Sequence, residues 1–290
     1  MQLLQQHETR SFRLLVLLLV LCVMAFAAVF AVAALTGKKQ TPVIFERCIA
    51  SVGGVEHSLN LEQVENAAII SGVGVARGLP PRAVSIALAT SLQETGLRNL
   101  DYGDDAGPDS RGLFQQRPSQ GWGSQEQVMD PVYAANAFYN GLEQVPGYLD
   151  LPITEAAQAV QRSAFPDAYA KHEGPARAFA SALTGESPAA LSCVLRAPLA
   201  SADPVVSATA VEEIYGPLNG SVLGPLYLAD VEGTYGWSVA QWFVANAKLL
   251  GIESVAYDGR TWHLGTTVWE ESDAVPGQVA VTVFTAEPAK

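Results

Sequence analysis

Pro81-Arg-Ala-Val-Ser-Ile-Ala-Leu-Ala-Thr-Ser-Leu-Gln-Glu94-Thr-Gly96 is the stretch on which the reading of this chain turns. Ala83, Val84, Ala87, Leu88 and Leu92 recur at helical spacing, Pro81 suits the first helical position, and Gly96 offers a C-terminal cap. A buried helix therefore closes on a carboxyl group, Glu94. Upstream, Asn60 with Gln63 forms a capping pair for another helix, whose apolar face is Val64, Ala67, Ala68, Ile69 and Val75. Gly78 and Pro80-Pro81 stop it. Downstream, an acidic, turn-rich stretch from Asp101 to Arg111 leads into the compact string Gly112-Leu-Phe-Gln-Gln-Arg-Pro118. Further helices are expected over 130–145, 154–161 and 174–183.

Towards the C-terminus, residues 197–209 are Ala, Pro, Ser and Val without a helical face, the composition of a short linker. Residues 210–290 then read as a small α+β domain, with an amphipathic helix over 238–250, a strand over 254–257, a turn at Asp258-Gly259 and an alternating strand through Val279, Val281 and Val283. Towards the N-terminus, Leu14 to Leu35 is a run of 22 residues without a charge, long enough as a helix to span a bilayer. The expected layout is a cytoplasmic tail (1–13), a transmembrane anchor (14–35), a stalk (36–47) and a C-terminal part outside the cell membrane. A signal peptide cut after Ala31-Val-Ala33 is the alternative, and its apolar region would be unusually long. Of the three cysteines, Cys22 lies inside the apolar run, so Cys48 and Cys193 remain as an even pair that an oxidising compartment would bridge. That bridge would delimit a domain over 48–196.

The net charge is -12, and beyond Lys38 the balance is more acidic still. Such a surface repels nucleic acid, so a neutral or zwitterionic polymer is the more natural partner. The cluster Asp101, Asp104, Asp105 and Asp109 lacks the alternating ligands of calcium loops, and His7, His57, His172 and His263 have no zinc spacing. No metal or other cofactor is expected. Ser110 and Ser163 have no neighbouring histidine to activate them, which disfavours a serine hydrolase. Trp122 and Trp237 are candidates for stacking on sugar faces, although a packed indole is the commoner fate.

Breaking a glycosidic bond needs a proton donor to the leaving oxygen, and a carboxylic acid serves if its pKa is raised towards neutrality. Glu94 has the setting for that, because a helix C-terminus disfavours its charge and the packed face behind it removes water. The segment from Leu88 to Gly96 resembles the first motif of the lysozyme-like lytic transglycosylases, in which a helix ends in Glu followed by a small hydroxyl residue. Gly112-Leu-Phe-Gln115 is similar to the family's second motif, and Asp130-Pro-Val-Tyr-Ala-Ala-Asn136-Ala-Phe-Tyr139 to the helix that follows it. Order and spacing agree over roughly residues 55–185.

The resemblance implies a mainly α, lysozyme-like domain, here preceded by a transmembrane helix and followed by the small α+β domain, in an actinobacterial-type membrane-anchored variant. It implies that Glu94 cleaves the bond between N-acetylmuramic acid and N-acetylglucosamine in peptidoglycan, leaving 1,6-anhydro ends. Gln115, Gln116, Tyr139, Gln158 and Gln161 are the candidate substrate contacts. In the related goose-type lysozymes aspartates after the glutamate position a water, so a hydrolytic muramidase is a further alternative. The family's fourth motif, Ala-Tyr-Asn-Ala-Gly, is met only by Ala159-Val-Gln-Arg-Ser163, which lacks the tyrosine that usually contacts the glutamate; Tyr139, Gln158 and Gln161 are the candidate replacements. The loop from Glu94 to Gly112 is also longer than the family's. A rival of a different class follows from that gap: a non-catalytic peptidoglycan-binding or scaffold protein of a secretion or conjugation apparatus.

Overall fold

The computed structural model describes residues 19–27, 45–162 and 166–286. Residues 19–27 are helical, and among the described residues no helix is long and apolar enough to cross a membrane. The remainder of the anchor expected over 14–35, the tail 1–13 and most of the stalk lie outside the described residues. Residues 44–290 form a unit of their own, to which everything below refers.

Two antiparallel sheets accompany the helices in this unit. The expectation of a mainly α fold with a membrane helix is thereby corrected to a mixed α and β fold. The first sheet has the order β2-β1-β3, built from β1 (Arg47–Val52), β2 (Val55–Leu59) and β3 (Leu191–Val194). Cys48 and Cys193 pair across β1 and β3 and are joined by the expected disulfide. These strands are four to six residues long, and only β1 alternates buried with less buried side chains, while β2 is mostly exposed and β3 mostly buried, so they do not stand out from turn sequence.

Between β2 and β3 lies the helical region: α1 (Leu61–Ala76), α2 (Pro81–Glu94), α3 (Gln125–Met129), α4 (Pro131–Leu142), α5 (Ile153–Gln161) and α6 (Glu173–Leu183), with a 3-10 turn at Pro166–His172 before α6. Asn60 and Gln63 form the capping box that opens α1, and Pro80 and Pro81 open α2. Every residue from Ala83 to Ser91 is buried, so α2 is the central helix, contacted by α1, α4, α5, α6 and the 3-10 turn. Its small alanines and serines let those neighbours approach closely.

The C-terminal part comprises α7 (Pro204–Tyr215), β4 (Asn219–Leu223), β5 (Leu226–Asp230), α8 (Gly233–Ala245), α9 (Ala247–Leu250), β6 (Ile252–Tyr257), β7 (Arg260–His263), β8 (Trp269–Glu271) and β9 (Gln278–Val283). Its six-stranded sheet has the order β4-β5-β9-β6-β7-β8. Helix α7 starts inside the stretch 197–209 that reads as a linker, capped by the Asp203 side chain on Val205 N.

One apolar core runs through the helical and C-terminal parts. At Gly72 on α1 a Cβ would stand 2.4 Å from Ile214 of α7, so glycine is what allows the two helices to meet. Gln241 of α8 is fully buried and uses both ends of its amide: Oε1 accepts from Ala190 N and Leu191 N at 2.9 and 2.8 Å, and Nε2 donates to Ala182 O and Ser187 O at 2.7 and 3.0 Å. Trp269 Nε1 donates to Leu191 O at 2.8 Å.

Candidate active site

The end of α2 is shaped by two successive left-handed residues, Gly96 (φ +65) and Leu97 (φ +59), which turn the chain back on itself. The carbonyls they expose are met by α1: Gln63 Nε2 donates to Gly96 O at 3.0 Å and Asn66 Nδ2 to Leu97 O at 2.9 Å. Ser91 Oγ and Thr95 Oγ1 both donate to Leu113 O, at 2.9 and 3.0 Å, which fastens the 112–116 string beside the helix end. Gly112 (φ +76) is required there, because a Cβ would fall 2.0 Å from Val128 O.

Glu94, the last residue of α2, lies in the wall of an open groove of about 980 Å³. Tyr169, fully buried on the 3-10 turn, donates its hydroxyl to Glu94 Oε1 at 2.8 Å. Gln161 also hydrogen-bonds the carboxyl, and its Nε2 donates to Phe114 O at 2.7 Å. Burial pushes the Glu94 pKa up, the Tyr169 and Gln161 donors pull it down, and the Asp104 carboxylate pushes it up again; the net direction is upward. A carboxyl group whose pKa burial raises at a groove, with donors ready to receive its anion, is equipped to give up a proton and take it back.

No protein-family model matches this chain, and no curated protein matches it. The chemistry of the site has to be read from its geometry.

Of the residues expected at the site, Glu94, Gln115 and Gln161 line the groove. Gln115 adopts a left-handed backbone (φ +49), and its Nε2 donates to Tyr102 O at 3.3 Å. Gln116 is buried instead, its Nε2 donating to Ala134 O at 3.0 Å, so it ties the string to α4 and faces no substrate. Tyr139 is likewise internal: its hydroxyl donates to Ile70 O at 2.9 Å, and burial pushes its pKa up. Gln158 is half-buried on α5 and is not part of the groove lining.

The four aspartates separate in space. Asp104 lines the groove, its Oδ1 accepting from Ala106 N and Gly107 N at 3.0 and 2.8 Å. Asp109 accepts from Ser119 N at 3.0 Å and from Arg117 Nε at 2.8 Å, contacts that hold its carboxyl well below the usual range. Asp101 and Asp105 are exposed and do not line the groove. Trp122 lies in the groove wall, while Trp237 packs in the core against Tyr257 and Trp269. Among the described residues no group of three or more His, Cys, Asp and Glu is placed to hold a metal ion.

Tyr169 and Tyr102 are site residues that sequence reasoning missed. Tyr169 supplies the contact absent from 159–163, arriving from a 3-10 turn 75 residues beyond Glu94. Its one local signal is Pro166, which opens that turn. Tyr102 is exposed in a loop and carries no pattern at all.

Proposed function

We propose that the groove binds a glycan strand of the bacterial cell wall and that Glu94 protonates the glycosidic oxygen between N-acetylmuramic acid and N-acetylglucosamine. The observation that carries this reading is the Glu94 carboxyl itself, raised in pKa by burial at an open groove and bonded by Tyr169. The resemblance of the 88–96, 112–115 and 130–139 segments to the lytic transglycosylases supports it. So does Tyr169, which brings a phenol to the carboxyl where residues 159–163 offer none. The Cys48–Cys193 disulfide supports an exported location.

In the proposed reaction the C1–O4 bond breaks as the Glu94 proton passes to the leaving oxygen. Tyr169 and Gln161 then stabilise the carboxylate. That carboxylate accepts the proton of the muramyl 6-hydroxyl as its oxygen bonds to C1, which closes the 1,6-anhydro ring, returns the acid and consumes no water. Tyr102 and Trp122, in the groove wall, offer apolar faces to sugar rings.

A hydrolytic outcome is the second reading, favoured by one observation: Asp104, alone among the four aspartates of 101–109, acts electrostatically on Glu94 from the groove. A water held there would attack C1 and leave a reducing end.

Digestion of purified peptidoglycan by the chain and by Glu94→Gln, with products identified by mass, tests both. Anhydro-muropeptides from the wild type and a loss of roughly 10²-fold or more in the variant are expected. Reducing-end products would move the assignment to the second reading, and equal background release from both proteins would sink the enzymatic one. Glu94→Gln should also melt no lower than the wild type at neutral pH. An acid whose folded pKa is raised lends stability only below its usual range and loses it as pH climbs through the folded value.

A further inference from the structure

Four charged side chains line the groove: Glu94, Asp104, Arg117 and Arg162. The charge of Arg117 is matched by Asp109 at 2.8 Å. Asp104 is capped by the amides of Ala106 and Gly107. Arg162 differs, because among the described residues no acid stands within salt-bridge distance of it. Of the two arginines in the groove wall, Arg162 is therefore the one whose charge is left open to a bound acid.

Its backbone sharpens the point. Arg162 is the C-cap of α5 in the left-handed conformation (φ +53, ψ +36), its N–H donating to Gln158 O at 2.8 Å. That turn ends the helix one residue after Gln161, which must face both Phe114 O and Glu94. Glycine satisfies such a cap at less steric cost than any residue with a Cβ. The backbone therefore explains the turn and leaves the arginine side chain unexplained, whereas its place in the groove wall explains it as a contact for something bound there.

We infer that Arg162 is a specificity-determining residue: its guanidinium pairs with a carboxylate carried by the glycan, so that the groove prefers muramyl strands to uncharged N-acetylglucosamine polymers of the same length. The inference rests on the glycan reading above and adds the substrate feature that is selected. Two sources offer the carboxylate, the lactyl group of muramic acid once its peptide is removed, and the acidic positions of an attached stem peptide. A planar guanidinium suits either by a paired hydrogen bond.

Binding to the full chain carrying Glu94→Gln, which removes turnover, tests it. The probes are peptide-free muramyl glycans, peptide-bearing strands and chitooligosaccharides of equal length, compared with and without Arg162→Gly and Arg162→Lys. Arg162→Gly keeps the left-handed turn, so its melting temperature should be equal or higher. It should weaken binding of a carboxylate-bearing probe by about tenfold, leave chitooligosaccharide binding unchanged and lose that difference in high salt. Arg162→Lys should restore much of it. A loss on peptide-free glycans identifies the lactyl carboxylate, and a loss confined to peptide-bearing strands identifies the peptide. Equal weakening on chitooligosaccharides, or no change on any probe, would overturn the inference. If wild-type protein cleaves nothing while the Arg162-dependent preference persists, the enzymatic reading alone falls; if no glycan binds, both fall.

Discussion

Glu94 and Gln241 are both polar side chains packed where helices meet, one at the groove and one between the helical and C-terminal parts. Gln241 is wholly enclosed, and each end of its amide has two partners. Glu94 is enclosed on one side only, with Tyr169 and Gln161 behind it and open space in front. The same burial thus yields opposite products. A satisfied network fixes neighbouring elements to each other, whereas an ionisable group with part of its solvation removed becomes reactive. The contrast extends across the regions. In the C-terminal part the shifted groups are the tyrosines Tyr215, Tyr227, Tyr235 and Tyr257, each raised first of all by burial, as packing residues are.

Removing residues 204–290 should break this division most severely. The loss would uncover the α1 face around Gly72 and orphan the amides of Ala190 and Leu191. No cooperative thermal transition by circular dichroism is expected, and a truncated chain that melts like the whole would show the C-terminal part to be a detachable module. A gentler version is Gln241→Leu, which takes the side-chain partner from the Ala190 and Leu191 amides and the Ser187 carbonyl, while Ala182 O keeps Gly185 N; a loss of roughly 3 kcal/mol in chemical denaturation is expected.

Tyr169→Phe probes the other side of the contrast. The phenol stabilises the Glu94 anion, so its loss should slow turnover about tenfold and raise the Glu94 pKa further. In a pH profile of kcat/KM the alkaline limb, where the acid loses its proton, should move up. A limb that stays in place would mean that Tyr169 is merely packed. Asp104→Asn should do the reverse and less: without the neighbouring negative charge the Glu94 pKa falls, and the alkaline limb moves down. A change of product from reducing end to anhydro ring in that variant would assign Asp104 to water positioning.

How much of this could be read in the sequence follows from the range of each interaction. Helices α1 and α2, with Glu94 at the end, are legible because capping residues and helical periodicity are local. The cysteine pair is legible by count. Gln116 and Gln115 are not distinguishable in sequence, since neighbours in a tight loop face opposite ways, one to the groove and one into the protein. Tyr139 sits in a motif that suits it for the site, and the fold spends its hydroxyl on Ile70 O. Tyr169 reaches Glu94 only through the packing of the 3-10 turn on α2, a contact that exists after folding and leaves no spacing to detect. Intimate packing of α8 on α1 is hidden for the same reason, because apolar residues at helical spacing announce a buried face without saying which partner buries it.

The bond between Cys48 and Cys193 has a mechanical consequence. It joins facing positions on adjacent strands whose Cα atoms are 3.9 Å apart, although they stand 145 residues apart in the chain. Tension applied at Arg47 can pass straight across to Val194 and onward, bypassing the whole loop of helices that carries Glu94. A chain tugged from both ends would therefore keep its groove unstretched, with the pull borne by one covalent clasp and the short sheet around it.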